Sequence, residues 1–463
     1  MSFSVSDYIW PAFQGRKPFE HQKHTVKFLI ANKRAFVLND MGTGKTLSAI
    51  WACDILMCAT KIRRVLVISP LSTMRSVWFN ELALNVPHRR AAVAHGTRQQ
   101  RLAALTNPAN EFVIINHDGI KVVEDDIIAQ AFDVIIIDEL TAYKAHGSER
   151  SKCMKRIADA GKAVWGMTGE ITPNNPTEAF FQCKIVNPHN RWLPKYFGQF
   201  RDACMVQINE MVWIPKQEAP QVVAMCAQPA IRFTREQCLD LPDTTYQTLE
   251  VPLSKQQTEI YEKMRKEALL QAEDGSVTAA NAAVLLNKLL QISAGAVKRD
   301  DGTIMEIGCE DRMSMLEDIF EQTPQKKLVV FATYRASIEM IVREFTKKGV
   351  KCAAIHGDVS QNQRAILIDQ FQRGDLQMLV LQPQSSAHGI TLTAASTIVW
   401  FSLIPSNELF QQGNARIVRA GQTRKTLIAM FVATKAERHI ARILENKGDV
   451  SKEVLRLFVD KEI

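Results

Sequence analysis

The chain has 463 residues, 46% of them hydrophobic, with a formal net charge of +8. That is enough apolar material for two or three domains and excludes global disorder. The mild basicity fits a polyanionic partner without requiring one. Nine cysteines are scattered without a CxxC pair, which argues against a zinc site of that kind and suits a reducing compartment. The apolar runs are shorter than the roughly 20 residues of a membrane helix, and the start MSFSVSDYIWPAF lacks the pattern of a signal peptide. A cytoplasmic protein with no membrane contact is therefore expected.

In chain order, RAFVLND, RRVLVISP, EFVIINH, FDVIIIDE and AVWGMTG read as strands, each followed by a turn and a helical pattern. They are apolar without alternation, as parallel strands covered on both faces are. Helical periodicity dominates from about residue 175 to 292, with DLPDTTYQTLEVPLS as a connector holding one strand. The α/β rhythm returns in KKLVVFAT, KCAAIHGD, QMLVLQPQ, STIVWFSL and TLIAMFVAT. The expected fold is α/β: two doubly wound parallel-sheet lobes with a helical insertion between them. The first lobe is expected over residues 1–235, with the insertion starting near 175. The second is expected over 236–463, with a helical segment at 254–292.

LNDMGTGKTLSAI follows the first strand and opens a helix. Gly42 and Gly44 let the backbone bend around a phosphate, and the amides of Met41 to Thr46 would face the anion. Lys45 would reach the β- and γ-phosphates of ATP and Thr46 would bind Mg²⁺. The full phosphate-loop pattern asks for glycine at position 39, where Asn39 stands. VIIIDEL brings Asp138 and Glu139 out at the carboxyl end of a buried strand, where open α/β sheets bind ligands. Asp138 is placed to hold Mg²⁺, and Glu139 to orient or deprotonate the attacking water.

QGNARIVRAGQ sets Arg416 and Arg419 three residues apart, on one face if the segment is helical. A hydrolysing phosphate-loop site needs positive charge near the γ-phosphate, and an arginine from the second lobe would supply it on closure of the two lobes.

These motifs occur in the order of the superfamily 2 helicase motifs, and QGNARIVRAGQ resembles the Gln-x-x-x-Arg-x-x-Arg-x-Gly-Gln signature of Swi/Snf-type ATPases. PLSTMRSVWFNEL, with Pro70, Trp78 and Glu81, resembles a further segment of that group. So does AAIHGDVSQNQRAILIDQFQRG, with Gly357, Arg364 and Phe371, and so does the run SSAHGITLTAASTIVWF. The resemblance covers roughly residues 15 to 445. It implies two RecA-like lobes that clamp ATP and move along double-stranded DNA without strong sequence preference, in a compact bacterial or phage-like member acting as a monomer. By the same resemblance Gln22 reads the adenine, and Gly389 and Gln412 join the nucleotide site. Pro70, Thr168 and Gly169 of the first lobe, and His356, Gly357 and Thr391 of the second, face the nucleic acid. Lys144 sits where family members carry a lysine soon after the Asp-Glu pair. It opens a basic stretch with Arg150, Lys152, Lys155, Arg156 and Lys162. No aromatic-rich RNA-stacking motif stands out. A branched-DNA or RNA helicase of the same superfamily, or an ATP-gated DNA clamp with weak turnover, is the alternative. One stretch departs from the family: where Thr-Gly-Thr-Pro is usual, this chain reads Thr168, Gly169, Glu170, Ile171. That change is expected either to be tolerated or to weaken coupling of DNA binding to hydrolysis.

Overall fold

The computed structural model describes residues 8–11, 17–173, 175–208, 213–238, 242–273, 279–299, 303–386, 390–419 and 421–445. The chain divides into two compact units, Met1–Asp240 and Leu241–Ile463.

The first unit is built on β1 (Arg34–Val37), β2 (Val65–Ser69), β3 (Ala91–Ala94), β4 (Phe112–Asn116), β5 (Val134–Asp138) and β6 (Ala163–Met167). A hairpin of β7 (Met205–Gln207) and β8 (Trp213–Pro215) follows, then β9 (Ala230–Ile231). Seven of these strands form one sheet in the order β3-β4-β2-β5-β6-β1-β9. Every pairing in it is parallel. The register of Val65 with Val134 and of Ala163 with Val134 puts Asp138 opposite Met167 at the carboxyl edge. Residues 134–137 are all buried because the sheet is covered on both faces. Phe36, Leu66, Ile68, Ile135 and Ile137 pack into one core, and Ala35, Val37, Val65, Val67 and Ile136 into the other. Each such aliphatic side chain contributes about 1.5–3 kcal/mol on burial.

The second unit has β10 (Thr244–Glu250), a small hairpin of β11 (Ala296–Lys298) and β12 (Ile304–Glu306), then β13 (Leu328–Phe331), β14 (Cys352–Ile355), β15 (Met378–Leu381), β16 (Thr397–Trp400) and β17 (Thr426–Val432). Its six-stranded sheet runs β10-β17-β16-β13-β15-β14, again all parallel. Two parallel sheets flanked by helices are the expected α/β fold. The strand foreseen in the connector, β10, is a full member of this sheet. It lies at the edge, and its mostly polar residues leave most of it exposed. The helices Lys255–Glu273 and Ala279–Ser293 belong to this unit.

A buried ion pair holds the second unit together away from any site. Both Glu437 oxygens accept from Nη2 of Arg312, at 2.7 and 2.8 Å, and Nη1 of Arg312 donates to the Phe401 carbonyl at 2.6 Å. Both residues are almost fully buried. Removing one partner strands the other charge, so Arg312→Ala is expected to lower the stability of this unit by about 3–5 kcal/mol. The paired change Arg312→Met with Glu437→Leu should cost far less. Urea denaturation of the three proteins checks this, and equal losses would show that packing, not charge, is responsible.

Among the described residues no helix is long and apolar enough to cross a membrane.

Candidate functional site

The phosphate loop links β1 to the helix Lys45–Cys58 (α2 below), with Glu20–Ala31 (α1) packed beside it. Gly42 and Gly44 take left-handed φ values of 84° and 79°, which side chains disfavour. A Cβ on Gly44 would also lie 2.2 Å from Nε2 of Gln22, so any side chain there would displace the Gln22 amide. Gln22 itself is buried on α1, where its Oε1 accepts from the Phe19 amide at 2.9 Å. His21 joins α1 to the loop through a 2.8 Å contact from its ring Nε2 to the Thr43 carbonyl.

Asn39, the departure from the phosphate-loop pattern, has a structural role. Its Nδ2 donates to Oγ1 of Thr25 at 3.0 Å and its Oδ1 accepts from the Phe233 amide at 3.0 Å. It ties α1 and the segment after β9 to the root of the loop, at a position without positive φ. Lys45 folds back over the loop and donates to the carbonyls of Asn39 and Asp40 at 2.7 and 3.1 Å. Burial pulls its pKa below the usual lysine value, against the opposing pull of Glu139, Asp138 and Asp40. Thr46 follows it in the first turn of α2.

Asp138 ends β5, with one strand, β6, between it and β1. Its Oδ2 accepts from Nε1 of Trp78 at 2.8 Å. Trp78 is fully buried on a single π-turn, Met74–Phe79. Glu139 stands at φ 54°, ψ 61°, a left-handed conformation for a residue with a side chain. Backbone strain of about 1–3 kcal/mol of this kind collects at functional sites. The loop after β6 closes the group. The Thr168 amide donates to the Val37 carbonyl at 3.1 Å, and Gly169 lies against Met41. The loop amides of residues 41–46, the Lys45 cation and two carboxylates thus share one sheet edge. The residues present fit a nucleoside triphosphate with a divalent cation.

In the second unit the helix Asn407–Asn414 ends before the arginine pair, so the expectation that the pair shares a helical face is corrected. Arg416 to Arg419 form turns, because the Arg416 carbonyl accepts from the Leu392 amide at 2.9 Å instead of propagating the helix. The two guanidiniums still converge, since Nη1 of each donates to the Ile390 carbonyl, at 3.5 Å from Arg416 and 3.1 Å from Arg419. Gly413 permits the close approach beneath them, where an added Cβ would sit 2.9 Å from the Trp400 ring. Gln412 is buried and its Nε2 donates to Glu408 at 3.3 Å. Gly389 lies outside the described residues. Gln422 and Arg424 brace the neighbouring loop by donating to the carbonyls of Ala395, and of Thr393 and Ala394.

Several expected nucleic-acid contacts look different in the structure. Pro70 is buried, and its carbonyl accepts from the Thr73 amide and hydroxyl. Thr168 is 3% exposed, and its hydroxyl donates to the Glu170 carbonyl at 2.9 Å. Gly357 is exposed; His356 is half-buried, its carbonyl held by Nη2 of Arg364 at 2.9 Å. Thr391 is half-buried. The basic stretch from Lys144 to Lys162 is neutralised by neighbours. Lys144 pairs with Glu178, Arg150 with Asp118, Lys152 with Glu149, Lys155 with Asp159, Arg156 with Glu124 and Lys162 with Asp133. This is a charge-paired, solvated face. Glu170 is exposed, while Ile171 enters the core and its carbonyl accepts from Gln182 at 2.7 Å. Sequence reasoning gave no role to Asn39, His21 or Trp78; Trp78 lay in a family-like segment but only its contact with Asp138 reveals what it does.

Residues 21–296 match the SNF2-related domain, and residues 311–421 match the helicase conserved C-terminal domain. The chain belongs to the SNF2-related family of helicase-type ATPases. Protein p41 of Acyrthosiphon pisum secondary endosymbiont phage 1 is 24% identical to this SNF2-related chain, over 90% of it and 92% of p41. The human DNA annealing helicase and endonuclease ZRANB3 is 23% identical over 89% of the chain, which spans 38% of that larger protein. The solved SWI2/SNF2 ATPase core of Sulfolobus solfataricus in complex with dsDNA is 20% identical, covering 96% of this chain and 94% of that one, with a TM-score of 0.46.

Proposed function

We propose that this SNF2-related ATPase couples ATP hydrolysis to movement along duplex DNA. The observation that carries the reading is Lys45, folded onto the loop carbonyls of Asn39 and Asp40 within the field of Asp138 and Glu139. ATP would sit on the amides of residues 41–46 with Gln22 at its base. Lys45 would meet the β- and γ-phosphates. Asp138 and Thr46 would hold Mg²⁺, which supplies charge neutralisation between phosphate oxygens. Glu139 would orient water, and Arg416 and Arg419 would add positive charge in the transition state. DNA as the track is supported by the family and by the human relative, named a DNA annealing helicase. The nuclease named with it is not carried over, since this chain spans a minority of that protein. Duplex preference, weak sequence preference and a monomeric state remain parts of the same reading.

Glu139→Gln should retain ATP and duplex DNA while turnover falls by at least about 100-fold. A Glu139→Gln protein that hydrolyses ATP normally would move the catalytic carboxylate elsewhere. Trp78→Phe removes the indole donor that orients Asp138. It should raise the Mg²⁺ concentration needed for half-maximal turnover by about 10- to 100-fold, with the melting midpoint recorded alongside. An unchanged Mg²⁺ dependence would mean that Trp78 serves packing alone.

A second reading, an ATP-gated DNA clamp, is favoured by the loop at residues 168–171. Its hydroxyl is bonded within the loop, and an exposed carboxylate stands beside it. A clamp would bind DNA in the Glu139→Gln state like the motor but would show no stimulation of the unmodified enzyme by DNA.

A further inference from the structure

The most unusual exposed surface of the first unit lies between the helices Ala179–Val186 and Phe197–Cys204. Trp192 is 51% exposed and Tyr196 60% exposed, two large rings in one short turn. Each carries a cation on its face. The Arg191 guanidinium is 4.8 Å from the Trp192 ring centre, and Nζ of Lys195 is 5.2 Å from that of Tyr196. Between Lys184 and Arg201 the sequence holds those two cations and no carboxylate. Among the described residues neither Arg191 nor Lys195 makes an ion pair, unlike the six cations of the 144–162 stretch.

The turn is built to hold this surface. Nδ2 of Asn190 donates to the carbonyls of Met225 and Cys226 at 2.9 Å, and its Oδ1 accepts from the Trp192 amide at 2.8 Å. Nδ2 of Asn187 donates to the Gln228 carbonyl at 2.9 Å, and Leu193 is buried between the two exposed rings in sequence. The side chains that anchor the turn point inward while both rings are left out. The helix that follows the turn packs on the segment after Glu139, where His146 stacks on Phe197 with ring centres 4.7 Å apart.

Flat rings beside unpaired cations recognise one chemistry well: unpaired bases joined by phosphates. Every base offers a π-face to an aromatic ring, and the phosphate between bases meets the cation. A duplex offers its phosphates but keeps its bases stacked inside. An acidic peptide would use the cations but would leave two rings of this size exposed. We propose that residues 187–197 form a second nucleic-acid surface, which stacks unpaired bases of a single strand on Trp192 and Tyr196 while Arg191 and Lys195 hold the adjacent phosphates. The proposal goes beyond the duplex motor and does not depend on it.

The test is equilibrium binding to the nucleotide-free full chain, read by fluorescence anisotropy. The probes are labelled oligo-dT, oligo-rU and a blunt duplex of equal length, each challenged with an unlabelled glutamate-rich peptide. Base–aromatic stacking is lost at about tenfold or more in affinity per ring. Trp192→Ala with Tyr196→Ala should therefore weaken single-strand binding by about 100-fold and leave duplex binding and basal ATPase essentially unchanged. Trp192→Phe with Tyr196→Phe should restore it. If the alanine pair melts early, Arg191→Glu with Lys195→Glu gives the same comparison, again with single-strand binding selectively lost. Absence of single-strand binding by the unmodified protein would overturn the proposal. So would equal loss for strand and duplex, or displacement of the strand by the peptide from wild type but not from the variant with a peptide affinity above that for the strand. Binding of dT alone, rU alone or both supports it and identifies the source of the strand.

Discussion

Arg416→Ala is expected to lower DNA-stimulated turnover by about 10³- to 10⁵-fold, the range found for an arginine that neutralises a transferring phosphoryl group. Nucleotide affinity should stay nearly unchanged, because the charge it offsets develops in the transition state. The setting of the guanidinium suggests a competing explanation. Arg416 is 9% exposed and is held on the Ile390 carbonyl, together with Arg419. If it merely braces that loop, alanine will lower the melting midpoint and weaken nucleotide and DNA binding together. Arg416→Lys separates the cases further. It keeps the charge but loses the planar fork, so a catalytic arginine leaves it severely impaired. Steady-state turnover with nucleotide affinity measured on the same preparations decides, and equal proportional loss of both would remove the transition-state role.

Lys45→Ala should fail differently. Turnover is expected to fall by at least about 100-fold, the cost of removing one fixed charge donor from an oxyanion, and ATP affinity should fall with it. Lys45 is a half-buried cation whose pKa is held down by desolvation, and Glu139, Asp138 and Asp40 act against that. Its removal leaves those carboxylates without the cation and the phosphate loop without its positive charge. Lys45→Ala that kept full ATP affinity would show that the amides of residues 41–46 carry ground-state binding alone. On the proposed reading the two variants divide the work: Lys45 would bind and stabilise, and Arg416 would stabilise only.

The strands were legible in the sequence wherever burial on both faces made them uniformly apolar, as in VIIID of β5 and LVVF of β13. Ala91–Ala94 and Ala230–Ile231 escaped notice because they are short and made of small or few residues. The phosphate loop was readable because glycine spacing encodes backbone shape directly, and Gly42 and Gly44 have the left-handed φ values that spacing implies. The arginine pair was misplaced on a helix because local periodicity cannot anticipate a tertiary hydrogen bond, here from the Leu392 amide to the Arg416 carbonyl. The charge pairing of the basic stretch after Glu139 was hidden in the sequence for a similar reason. Its neutralising partners Asp118, Glu124, Asp133 and Glu178 come from other segments. Trp192 and Tyr196 form no sequence motif, and they became visible only through their exposure and the asparagine anchors behind them.

The central claim is that ATP turnover drives movement along an intact duplex. It is tested most directly by displacement of a labelled third strand from a triplex embedded in a blunt-ended duplex. The account predicts release by the unmodified protein with ATP and Mg²⁺, and no release by Arg416→Ala or without ATP. Vigorous duplex-stimulated hydrolysis with the third strand left in place would contradict it and show that hydrolysis is not coupled to movement.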